Sequence, residues 1–72
     1  MNLAEYIEKR MEEKGIRKNW LAEKLNMNYK TFVGKMKRNS ITGEEILLIS
    51  HYLDLNLNQL KEIFVKKHEN GE

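Results

Sequence analysis

The chain has 72 residues, room for one domain, with a formal net charge of +2 and 40% hydrophobic residues. It contains neither cysteine nor proline, which excludes disulfides and thiolate metal sites and favours helices. The start is amphipathic and acidic and no apolar run approaches membrane-spanning length, so we expect no secretory signal, no membrane association and a cytoplasmic location.

Positive charge is concentrated in the middle of the chain. Residues 14–39 contain eight lysines and arginines against Glu23 alone, a balance of +7, whereas residues 1–13 balance to −2 and residues 40–72 to −3. Such a segment attracts polyanions locally without making the whole surface basic. A solvated lysine face without a ligand is the alternative.

The first helix is predicted over residues 2–13. Its apolar residues recur at helical spacing, at Leu3, Ile7 and Met11. Asn2 and the glutamate three residues later match a capping box, and Gly15 is suited to end the helix.

Two short helices follow, separated by a turn of three or four residues. Leu21 and Leu25 belong to the buried stripe of the first, and Phe32 and Met36 face inward on the second. Asn28 is suited to cap the second helix. The pair is predicted over residues 18–25 and 29–37.

A fourth helix is predicted over residues 43–53, because Thr42 and Glu45 match a capping box. Leu47 and Leu48 widen its apolar stripe. The stripe itself consists of Ile46, Ile49 and Leu53.

A fifth helix is predicted from the Asn56 cap to about residue 66, followed by a flexible tail over residues 67–72. Leu57 and Leu60 are expected to close the core. Surplus apolar residues near the end of this helix indicate either a two-fold dimer interface or packing within the monomer. These residues are Ile63, Phe64 and Val65.

Residues 16–36, IRKNWLAEKLNMNYKTFVGKM, resemble the helix-turn-helix of the Cro/cI-type (XRE, lambda-repressor-like) family. The segment LLISHYLDLNLNQL is similar to the helices that follow it there, and the resemblance covers about residues 3–64. It implies a compact all-α domain of five helices that binds double-stranded DNA as a homodimer. The third helix is then expected in the major groove.

Some residues depart from the family pattern. Lys18 replaces a glutamine that contacts phosphate, and Arg17 replaces a Ser or Thr cap, so the second helix is expected to be poorly capped. Met36 stands where many members have a glutamate that pairs with an arginine at the position of Arg10.

The resemblance implies two sets of DNA contacts. Lys30 is suited to donate to guanine and Val33 to contact a thymine methyl group, whereas Gly34 indicates either close approach to DNA or a packing constraint. For Lys35 and Lys37 the alternative to phosphate contact is a purely solubilising role on the surface. Expected base contacts are Tyr29, Lys30, Thr31, Val33 and Gly34, and expected phosphate contacts are Lys18, Lys35, Lys37, Arg38 and Asn39.

The remaining aromatic, histidine and acidic side chains indicate no catalytic or metal-binding site. Trp20 is expected to be partly buried against the first helix, and His51 and His68 are too isolated for a metal site. No nucleophile–base pair, phosphate-binding glycine loop or carboxylate dyad has suitable spacing. We therefore expect neither an enzyme nor a cofactor, metal or small-molecule ligand.

The expected function is sequence-specific transcriptional regulation, as a repressor of phage or mobile-element type. One alternative is a protein-interaction module of the same fold, which binds another regulator or a polymerase or recombinase subunit rather than DNA. Another is an architectural DNA binder with little sequence preference. The expected reading face lacks Gln, Asn and Arg, so DNA binding is better supported than tight specificity.

Overall fold

The computed structural model describes residues 2–70, with side chains described for residues 2–66. Within that range five helices and no strand form the fold, which confirms the predicted all-α class. The helices are α1 (Leu3–Lys14), α2 (Lys18–Lys24), α3 (Tyr29–Arg38), α4 (Gly43–Leu53) and α5 (Leu57–Asn70).

The helix boundaries follow the capping residues of the sequence. Side chains cap four helix starts, and only α2 lacks such a cap, because Arg17 makes no capping hydrogen bond. Gly15 ends α1 in the left-handed conformation, as predicted. Helix α5 continues to Asn70, four residues beyond its predicted end, and residues 71–72 of the predicted tail lie outside the described residues. The capping side chains are Asn2, Asn28, Thr42 and Asn56.

One apolar core joins all five helices. Its most deeply buried large side chains are Ile7, Leu21, Phe32, Ile49 and Leu53. Every helix except α5 contributes at least one of them, and α5 adds Leu60. Burial of these side chains, rather than local propensity, provides most of the stability of such short helices.

Three leucines expected in or beside the core lie on the surface. Leu57 is 70% exposed and Leu47 is 73% exposed, and Leu48 is nearly half exposed. On α5 the core side is set by Leu60 and Ile63, and at about 100° per residue Leu57 lies about 60° from Leu60 and about 120° from Ile63, at the margin of that side. The expectation that Leu57 closes the core is therefore wrong.

Arg10 links α1 to the end of α4. Its Nη2 donates to the carbonyl oxygens of Leu53 (3.2 Å) and Asp54 (3.1 Å), and its Nη1 donates to Glu13 Oε1 (3.1 Å). The carbonyls at a helix C-terminus lack partners within the helix. Arg10 therefore supplies donors to carbonyls that have no partner within α4.

Trp20, which is expected against α1, has its aromatic contact on α4. Its ring meets the ring of Tyr52 edge-on at 5.4 Å, and Lys24 Nζ lies 5.3 Å from the indole centroid. The indole remains partly exposed.

Within the described residues, no helix has the length and apolar character needed to cross a bilayer.

Candidate nucleic-acid interface

Residues 25–28 connect α2 to α3 in a short, hydrogen-bonded turn. Asn26 adopts the left-handed conformation (φ 59°), which asparagine tolerates better than most residues. The Met27 N–H donates to the Ala22 carbonyl at 3.0 Å, and Met27 packs against the core. Ala22 is buried, and its small side chain lets neighbouring elements pack closely. The turn thus holds α2 and α3 in a defined relation.

Helix α3 has one buried side and one basic side. Phe32 and Met36 anchor it in the core. The exposed side carries Lys30, Lys37 and Arg38, which we call the basic strip. Among the described side chains of residues 2–66, none of these three cations lies in an ion pair. The strip is therefore free to meet an anionic partner.

The five residues expected to contact bases differ in accessibility. Tyr29, Lys30 and Thr31 are exposed, whereas Val33 and Gly34 are half-buried. Val33 lines a groove of about 260 Å³ that separates α1 from α3, called here the α1–α3 groove. The exposed part of the expected reading face is thus the first turn of α3.

Gly34 leaves space that Arg38 fills. A Cβ atom built on Gly34 would lie 3.1 Å from Arg38 Nη1 and 3.3 Å from Nη2. These atoms are the far end of an exposed, flexible side chain that can shift to admit a Cβ atom, so both interpretations of this glycine stay open.

The residues expected to contact phosphates also divide into two groups. Lys37 and Arg38 are exposed on the basic strip. Lys18 and Lys35 are held in ion pairs, and Asn39 is half-buried as the left-handed cap that ends α3 (φ 55°). The Asn39 Oδ1 is buried with no hydrogen-bond partner among the described residues. Sequence spacing alone could not reveal these pairings, because each joins separate helices.

Glu45 connects α3 to α4 through both carboxylate oxygens. Oε2 accepts from Lys35 Nζ at 2.6 Å, and Oε1 accepts from the Thr42 N–H at 2.9 Å. The Lys35 ammonium, followed by the Thr42 N–H, lowers the pKa of Glu45 below its ordinary value of 4.5. Lys35 is therefore engaged in structure, and to contact DNA it would have to leave Glu45.

The α1–α3 groove brings acidic and basic side chains together beside the basic strip. Lys18 Nζ lies 2.9 Å from Glu8 Oε1. Lys37 also lines the groove, and so does Glu5. The acidic character of α1, visible in the sequence, thus faces the basic segment directly.

A second exposed surface lies on α5. Ile63 packs at the edge of the core, whereas Phe64 is 42% and Val65 is 54% exposed. Leu57 precedes Phe64 by seven residues and so shares its side of the helix. We call Leu57, Phe64 and Val65 the α5 apolar face. The sequence predicts Leu57 in the core, so the part of Leu57 in this surface was not expected.

No protein-family model, curated protein or solved structure matches the chain. Among the described residues, no group of three or more His, Asp or Glu side chains is placed to hold a metal ion. Function is therefore inferred from the geometry and charge of the chain itself.

Proposed function

We propose that the protein is a helix-turn-helix transcriptional regulator of the Cro/cI type, acting as a repressor, with α3 in the major groove of DNA. The basic strip on the exposed side of α3 is the observation that carries this proposal. An α-helix with its side chains is about 10–12 Å across, and the major groove of B-DNA is about 12 Å wide. Helix α3 has ten residues, carries Lys30 in its first turn and is narrow enough to enter that groove.

The connection between α2 and α3 supports the same proposal. A helix-turn-helix joins two helices by a turn of three or four residues and leaves the second helix accessible. Here residues 25–28 make that turn, and Phe32 and Met36 anchor the inner side of α3 in the core. Lys30 then donates to guanine, and Lys37 and Arg38 contact phosphates.

A homodimer completes the proposal. The α5 apolar face joins two copies about a two-fold axis, which presents two α3 helices about one DNA turn apart. The proposal places this repressor in the cytoplasm, with a phage or mobile-element origin that follows from the family resemblance alone.

Titration of a random duplex and a selected duplex tests the proposal. A regulator binds the selected duplex at least about 10³-fold more tightly than random DNA. Equal affinity for both indicates an architectural DNA binder, and no binding at low salt rejects the proposal.

Two single substitutions separate base contacts from phosphate contacts. Lys30→Ala is expected to cost about 1–3 kcal/mol on the selected duplex and to relax base choice at one position. Lys37→Ala is expected to weaken all sequences alike and to reduce the salt slope by about 1. Indistinguishable effects of the two changes would contradict these roles.

A protein-interaction module is the second candidate, favoured by one observation. Leu47 and Leu48 are exposed on α4, apart from the basic strip. In this candidate the two leucines form part of an apolar contact with another protein. Because this candidate binds a protein rather than DNA, it predicts that the wild type binds neither the random nor the selected duplex at low salt.

A further inference from the structure

Carboxylates lie along both edges of α3. On one side Glu8 of α1 binds Lys18 at 2.9 Å, and on the other Glu45 of α4 binds Lys35 at 2.6 Å. The cations of α3 outside these ion pairs form the basic strip, which lies between them. The two carboxylates differ in what else they do.

Glu45 has a structural role, because both of its oxygens are used and it completes the capping box of α4. Glu8 lies in the middle of α1, belongs to no cap, and is half exposed. Its only ion pair among the described residues is with Lys18. Glu8 can therefore be changed without removing a helix cap or a core contact.

We propose that Glu8 competes with the DNA backbone for Lys18 and so limits the affinity of this protein for DNA of any sequence. The inference rests on the proposed function, because it requires that DNA lies against α3. It identifies an affinity-limiting residue outside the expected contact set.

The position of Lys18 makes this competition possible. Lys18 lines the α1–α3 groove together with Val33 and Lys37 of α3. A phosphate that reaches Lys37 at the edge of this groove comes close to the Lys18 ammonium. The same phosphate meets the negative charge of Glu8, with Glu5 beside it in the groove.

The energetics favour a weak, displaceable pair. Lys18 is 39% and Glu8 is 49% exposed, so water screens their attraction and the ion pair contributes little to stability. Removal of the Glu8 charge leaves Lys18 available to neutralise one more phosphate. Because phosphate contacts carry no sequence information, the gain applies to every duplex.

The test compares Glu8→Gln with Glu62→Gln on a random duplex at about 50 mM and about 200 mM salt. Both variants remove one negative charge, but Glu62 lies on α5 in a groove with Ile63 and Lys66. One additional phosphate contact steepens the log–log salt slope by about 0.9. Glu8→Gln is therefore expected to bind more tightly than Glu62→Gln at low salt, and a fourfold rise in salt reduces its advantage about 3.5-fold.

A double variant assigns the gain to Lys18. In Glu8→Gln/Lys18→Gln the slope is expected to return to the wild-type value, whereas Lys18→Gln alone leaves it unchanged. If wild type binds DNA and Glu8→Gln has the slope of Glu62→Gln, this inference is overturned and the proposed function stands. If neither wild type nor any variant binds random or selected DNA at low salt, the proposed function itself fails.

Discussion

The guanidinium of Arg38, one helical turn after Gly34, lies next to the space that a side chain at position 34 would occupy. Glycine costs a helix interior about 1 kcal/mol relative to alanine, so its presence there needs a local reason. The Arg38 guanidinium does not supply that reason by itself, because it is the far end of an exposed side chain and can shift to admit a Cβ atom. The sequence left two explanations open because periodicity does not show which side chain folds back over the gap.

At the residue scale, Glu45 makes the free energy of unfolding depend on pH. Its pKa is lowered in the folded protein, so its contribution is present above the ordinary value of 4.5 and is lost as pH falls through the lowered pKa. Glu45→Gln is expected to destabilise the protein at about pH 7 and much less at about pH 3. Urea denaturation at both pH values measures the difference.

The control for that measurement is Glu44→Gln, an exposed neighbour in the first turn of the same helix. A loss of stability from Glu45→Gln that is the same at both pH values would show that the carboxylate charge is not responsible.

At the scale of the helices, most boundaries could be predicted because capping is local. A capping side chain and the backbone N–H that donates to it lie within three residues of each other, as at Thr42 and Glu45, so the sequence contains the whole interaction. The links between helices could not be predicted in this way. Arg10 binds carbonyls more than forty residues away, and no local pattern marks those oxygens as its partners.

Removal of the Arg10 link is expected to loosen the contact between α1 and α4. Arg10→Met keeps the aliphatic part of the side chain but removes the donors to Leu53 and Asp54. Hydrogen bonds from charged groups contribute about 1.5–3 kcal/mol, so we expect destabilisation of about 2 kcal/mol in urea. Lys9→Met, at an exposed neighbouring position, is the control. Equal urea-denaturation midpoints for the two variants would show that the Arg10 hydrogen bonds to the end of α4 do not stabilise the protein.

At the scale of the whole molecule, the α5 apolar face predicts self-association. Phe64→Asp places a charge in that face and is expected to shift the protein to a monomer in sedimentation experiments over a range of concentrations. Leu47→Asp is the matched control, because Leu47 is more exposed than Phe64 but lies on α4. A monomeric wild type at all concentrations, or equal dissociation by both changes, would reject the α5 dimer.

The sequence alone determined the five helices, their order, most of their caps and the basic middle of the chain. These depend on interactions within a few residues and on composition, which are read directly from the chain. It also predicted the inner side of α3, because Phe32 and Met36 are spaced one turn apart. The charge of the segment around α3 likewise followed from counting residues.

Only the tertiary structure decided which charged side chains remain outside ion pairs and which leucines remain exposed. Lys18 and Lys35 are paired because α1 brings a carboxylate to α2 and α4 brings one to α3, and Leu57 is exposed because Leu60 and Ile63 orient α5. Such outcomes depend on how helices distant in sequence pack together. Periodicity assigns a residue to a helix and a side, but packing decides what that side meets.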